Sequence, residues 1–200
     1  MQEIAPGLWH WTARHPRIGI DVSSYFVPEH GLLLDPLIPP DGIKRLEELA
    51  RPREILLTNR HHWRDCDKLV ERFGCTVRAP RAGMHEFDEG QPVTPYDVGQ
   101  SLVGGAVTVH EVGVLCPDES ALHIASVSAL AVADGVVHYG ELSFVSDDLM
   151  DDPEDTKVGL KEAYARLADQ LEFDNLLTAH GPPVVGGARA ALRDWATTAA

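Results

Sequence analysis

Short apolar runs closed by turn residues alternate along this chain with segments of helical period, and this alternation restricts the available folds more than any other feature. Ile18 to Val27 and Leu32 to Leu34 read as strands, bounded by Pro16, Pro28, Gly31 and Pro36. Pro39-Pro40-Asp41 opens a helix whose inner face is Ile43, Leu46 and Leu49 or Ala50. Glu54 to Thr58 is a short buried strand. Asp65 caps a second helix in which Cys66, Leu69, Val70 and Phe73 share one face, and Gly74 closes it. Cys75 to Ala79 is strand again. The middle is strand-rich. Val107 and Val109 alternate with polar neighbours, Leu122 and Ile124 alternate with Ala121 and His123, and Val136-Val137 follows an Asp134-Gly135 turn. Asp152-Pro153 starts a helix with Leu160, Tyr164, Leu167 and Leu171 in one stripe. Leu176-Leu177-Thr178 is the last strand, and Ala188, Ala191, Leu192 and Trp195 mark a closing amphipathic helix. Helices on both sides of a strand block predict two sheets with helices outside, rather than one doubly wound sheet.

Two hundred residues make one domain, 1–200, able to bury a core without disulfides. The three cysteines, Cys66, Cys75 and Cys116, show no Cys-x-x-Cys spacing and read as reduced thiols of a cytoplasmic protein. The amino-terminal residues lack the basic-then-apolar pattern of a secretory signal. The longest apolar stretch, Leu122 to Val137, is broken by His123, Ser126, Ser128 and Asp134, so no membrane span is expected. Seventeen basic against thirty-one acidic residues give a net charge of −14. A surface of that sign repels a phosphate backbone and excludes general nucleic-acid binding, but not a small anion held by local arginines. Oligomeric state is not legible.

Two strand ends carry histidine where the strand should stop: Thr58-Asn59-Arg60-His61-His62-Trp63-Arg64-Asp65, and Thr178-Ala179-His180-Gly181. A carboxylate follows another short strand at Gly140-Glu141. Rigid strand ends with loops beyond them are common places for ligands. Over nearly its whole length the chain resembles the metallo-β-lactamase superfamily. Leu33-Leu34-Asp35-Pro36 resembles that family's first acidic turn, and Leu57-Thr58 with the loop after it resembles its Thr-His-x-His-x-Asp-His signature. Glu111-Val112-Gly113-Val114 resembles the stretch around Pro-Gly-His, Gly140-Glu141 resembles Gly-Asp, and Ala179-His180-Gly181-Pro182 resembles Gly-His-Gly. The resemblance implies an α/β fold, an αββα four-layer sandwich with the site at the shared edge of two sheets. For ordinary members it implies two metal ions and hydrolysis of an ester, thioester or amide.

On this alignment His61 and His180 are retained and Glu141 stands for the bridging aspartate. Asn59, Trp63, Arg64 and Val114 occupy the remaining ligand positions. A catalytic zinc needs about three protein donors. Trp63 and Val114 supply none, and Arg64 is always cationic. A dinuclear site is therefore not expected. Two readings remain. In one, no metal is bound, and the old cleft is a degenerate, non-catalytic site that holds a small anionic ligand on Arg64, Arg60, Asn59 and Trp63, with Arg64 paired to Glu141. In the other, a metal-dependent hydrolase has rebuilt a mononuclear site, with one zinc, iron or manganese ion on His61, His180 and Glu141. There Glu141 and Asp118 are the candidate catalytic carboxylates, and Asp118 or Glu119 could complete the ligand set. Beside these sharper readings, His62 is expected to be exposed and Asp118-Glu119 to form a solvated turn.

Overall fold

Two mixed sheets pack face to face in the computed structural model, which describes residues 1–198. The first sheet takes its strands in chain order: β1 (Gln2–Ala5), β2 (Leu8–Arg14), β3 (Asp21–Val27), β4 (Leu32–Leu34), β5 (Glu54–Leu56), β6 (Thr76–Pro80) and β7 (Val93–Tyr96). Strands β1 to β4 are antiparallel. From β4 onward the pairing is parallel, with α1 (Lys44–Leu49) and α2 (Cys66–Phe73) as crossovers.

The second sheet is built from β8 (Ser101–Leu102), β9 (Val107–Glu111), β10 (Ser120–Ile124) and β11 (Ala129–Val132). A two-stranded ribbon of β12 (Val137–His138) and β13 (Leu142–Ser143) and the long α3 (Pro153–Gln170) come next. The chain then returns to the second sheet as β14 (Asn175–Thr178) and β15 (Val184–Val185) and closes with α4 (Ala188–Thr197). The spatial order is β15-β14-β11-β10-β9-β8, and only β11 and β14 pair in parallel.

Continuous apolar runs become buried strands because each alternate residue has its own layer to fill. Leu32 and Leu34 point between the sheets with Tyr25, Val27, Leu122 and Ile124, while Leu33 faces the helix side with Leu46, Ile55 and Leu69. Leu130 and Val132 pack instead against Leu160, Tyr164 and Leu167 of α3 and Leu192 of α4. Three apolar layers thus separate four layers of structure, as the element order predicts. Two boundaries differ from the periodicity. Ile18 and Ile20 are not strand residues but lie in the β2–β3 loop, 57% and 42% exposed, since β3 starts at Asp21. The first helix starts at Lys44, after a turn closed by Gly42 N–H on the Pro39 carbonyl.

The sheets are stitched together along one edge. Ser23 N–H donates to Ala179 O at 2.9 Å, and Ser120 N–H to Thr58 O at 3.0 Å. The buried Tyr25 hydroxyl donates across to the Thr178 carbonyl at 2.8 Å, while within the first sheet the Tyr96 hydroxyl donates to the Leu57 carbonyl at 2.6 Å. These bonds bring the carboxyl ends of β4, β5, β11 and β14 to one place.

Candidate metal centre

The residue just beyond β4 is Asp35, buried at 3% exposure. Its carboxylate accepts Thr58 N–H (2.9 Å) and the Thr58 hydroxyl (2.6 Å). After β5 the chain makes a 3-10 turn over Arg60–His62, capped by the Asn59 side chain, which accepts His61 N–H at 2.9 Å. The turn sends His61 outward, where it is exposed, and His62 inward, where it is 4% exposed. Both nitrogens of the His62 ring face carboxylates: Nδ1 is 3.0 Å from Asp35 Oδ2, and Nε2 is 3.1 Å from Asp134 Oδ1.

Asp134 lies just past β11, and His180 just past β14. The parallel register pairs Val132 with Thr178, which places Asp134 and His180 level with each other two residues on. His180 Nε2 lies 3.0 Å from the same Asp134 oxygen. Asn59 Nδ2 donates to the other oxygen of Asp134 at 2.8 Å. His62, Asp134 and His180 form a grouping whose ligand atoms all lie within 4.8 Å of one another. Gly181 makes the loop after His180 possible. Its φ of +83° is left-handed, and a Cβ there would collide with the His138 carbonyl, whose own N–H donates to His180 O at 3.1 Å.

Burial alone would lower the pKa of His62, but the carboxylates of Asp35 and Asp134 outweigh it and push the ring up to about 9. Burial would raise Asp134, yet the neighbouring His62 and His180 hold it well below the usual carboxylate range. Asp35 is likewise lowered by His62, Arg64 and Thr58 against the effect of its burial.

The remaining sequence candidates fall around this centre in unequal ways. Arg64, at a left-handed φ of +47°, sends Nη1 to the Ser23 carbonyl (2.6 Å) and to the Asp35 carbonyl. Its Nη2 is buried with no partner among the described residues. Its carboxylate neighbours are therefore Asp35 and Asp134, not Glu141. Glu141 is exposed between β12 and β13, outside the grouping, and Asp134 supplies the carboxylate in its place. Arg60 is ion-paired to Asp118, whose other oxygen accepts Arg60 N–H at 2.7 Å. That pair occupies Asp118, which is 1% exposed rather than a solvated turn residue. Glu119 is also buried, accepting Gly135 N–H at 2.6 Å and the Tyr164 hydroxyl at 3.3 Å. Trp63 is half-buried against Phe87, its indole N–H on Asp67. Two contributors lay outside the sequence-based site: His62, next to the residue chosen, and Asp134, read only as a turn.

Above the centre opens a cleft of about 760 Å³. His62, Asp134, His180 and Arg64 line it, and the β2–β3 loop and the Phe87–Gln91 segment wall it. No helix among the described residues is long and apolar enough to cross a membrane.

No protein-family model matches the chain, and no curated protein matches its sequence. Solved structures do match. DIM-1 metallo-β-lactamase superposes with a TM-score of 0.73 at 15% identity, over 100% of this chain and 97% of that one. TTHA1623 in a di-iron-bound form gives 0.67 at 19% identity, over 92% and 99%. The rubredoxin oxygen:oxidoreductase of the anaerobe Desulfovibrio gigas gives 0.66 at 15% identity over 98% of this chain, which spans 61% of that protein's length. With its two stitched sheets, outer helices and polar centre at their common edge, the chain has the metallo-β-lactamase fold.

Proposed function

We propose that this chain is a single-metal hydrolase acting on a small anionic substrate. The observation that carries the reading is the convergence of His62 Nε2, Asp134 Oδ1 and His180 Nε2 at the floor of an open cleft. Two imidazoles and a carboxylate are the donor set of a mononuclear zinc or ferrous site with open positions. The atoms behind them fit the same role. Asp35 engages His62 Nδ1 and so presents Nε2 to the centre, and Asn59 holds one oxygen of Asp134 while the other faces both histidines. Such an ion would supply Lewis acidity and a water activated near neutral pH.

At the centre itself charge supports an anionic substrate, while the outer wall, with Glu86, Asp88 and Glu89, is acidic. Without a metal, protonated His62 and Arg64 balance Asp35 and Asp134. With a dication and a neutral His62, the same groups carry one net positive charge, which an anion neutralises. Arg64 lines the cleft floor, and its guanidinium charge attracts that anion.

One observation favours a second reading, in which no metal binds and the cleft only holds an anion. The His62 ring already sits between two carboxylates as an imidazolium would. Elemental analysis of protein purified without chelator or affinity-tag nickel separates the two. One equivalent of zinc, iron or manganese is expected. It should disappear in His62→Ala/His180→Ala and persist in His61→Ala, the exposed neighbour. No stoichiometric metal after incubation with each ion in turn would overturn the hydrolase and leave the anion binder.

A further inference from the structure

The β2–β3 loop carries a histidine that the metal centre does not use. His15 lines the cleft together with Arg17, Ile18, His62, Arg64 and His180. It organises its own loop: its N–H donates to Ile20 O at 2.8 Å, and its carbonyl accepts Gly19 N–H at 2.9 Å. Its ring is oriented by backbone as well. Nδ1 lies 3.3 Å from Arg17 N and 3.4 Å from Ile18 N and accepts from both. A ring nitrogen that accepts carries no proton, so the neutral imidazole bears its proton on Nε2. No hydrogen bond engages Nε2 among the described residues. Burial, with the nearby cations Arg64 and Arg17, holds the ring below its ordinary pKa despite Asp65, consistent with this neutral form.

We infer that His15 is a substrate-binding donor, its Nε2–H directed to an anionic oxygen, carboxylate or phosphate, held in the cleft opposite the metal centre. This rests on the small-anion reading of the cleft. Arg64 lends positive charge from the floor and His15 donates from the loop, so the anion is met from two separate elements of the cleft. Specificity then lies in an oxygen able to accept a neutral donor, and Arg17 at the loop tip adds positive field.

Paired substitutions separate this role from a merely structural one. Asparagine can place an amide where Nδ1 sits, and glutamine where Nε2 sits. Inorganic phosphate is titrated calorimetrically into protein carrying one zinc. His15→Gln should keep the dissociation constant within about threefold of wild type, whereas His15→Asn and His15→Ala should weaken it about tenfold, or 1.4 kcal/mol, with zinc content unchanged. Rescue by asparagine and not glutamine, or no loss in His15→Ala, would overturn the assignment. Nitrogen-15 NMR of the imidazole provides an arm that needs no ligand: the Nε2–H tautomer is expected, and the Nδ1–H tautomer overturns it. Wild-type protein that takes up zinc but binds no phosphate would instead sink the anionic-substrate reading, and this inference with it.

Discussion

The two strand ends that carry the centre's histidines are built differently. Beyond β5, His62 has both ring nitrogens engaged, by Asp35 and Thr58 on one side and Asp134 on the other. Beyond β14, His180 touches Asp134 through Nε2 alone, and its buried Nδ1 has no partner among the described residues. The first histidine is part of what holds the sheets' common edge, because it bridges Asp35 at the end of β4 in one sheet to Asp134 at the end of β11 in the other. The second is held mainly by its backbone. One polar centre can therefore tie one of its histidines to the stability of the fold and leave another free of it.

His62→Ala should show the largest contrast. It takes the imidazolium from between Asp35 and Asp134, leaving them only Thr58, Asn59 and His180, and should cost about 3–5 kcal/mol, read from urea unfolding of metal-free protein. His180→Ala should cost about 1 kcal/mol. Equal costs would break the comparison.

Next comes the pH dependence of the metal-free protein. The folded-state pKa of His62 is raised to about 9 from 6.5. Its contribution is thus complete below pH 6.5 and lost as pH rises through 9, about 3 kcal/mol in all. Asp35 and Asp134 are lowered, so theirs is present above the ordinary carboxylate pKa and lost as pH falls below it. Stability should peak between these limbs. His180→Ala should keep the alkaline limb, and a flat alkaline profile in wild type would refute the imidazolium.

The smallest effect sharpens the β11 side. Burial raises the pKa of Glu119 to about 7, and it sits behind Gly135, next to Asp134. Being raised, it costs nothing below its unfolded value near 4.5 and opposes folding as pH climbs through 7. Glu119→Gln keeps an acceptor for Gly135 N–H and removes that limb. The variant should gain about 2–3 kcal/mol relative to wild type between pH 5 and pH 8, measured by thermal or urea unfolding at both pH values.

The layering was legible in the sequence because it follows from local period. Leu32-Leu33-Leu34 and Ile55-Leu56-Leu57 are apolar on both faces, and the helices between and after them each have one apolar face. The site was legible only to within a residue or a turn. Whether His61 or His62 points inward depends on the phase of a three-residue 3-10 turn, and no side-chain period survives over so short a span. Asp134 and Glu141 both follow short strands beside a glycine. What selects Asp134 is the parallel pairing of β11 with β14, a contact between segments more than forty residues apart. Asp118 and Glu119 have the composition of a surface turn, and they are buried because Arg60 and the Gly135 amide reach them from other elements.

The position of Trp63 has an optical consequence. It is the one tryptophan of the four that lines the cleft. Trp11 is buried under the first sheet's helices, Trp9 lies beside it under Arg45, and Trp195 packs on Phe144 and Tyr164. Occupancy of the cleft therefore changes the surroundings of a single fluorophore while the others stay constant, and the protein reports its own binding by emission, without a label.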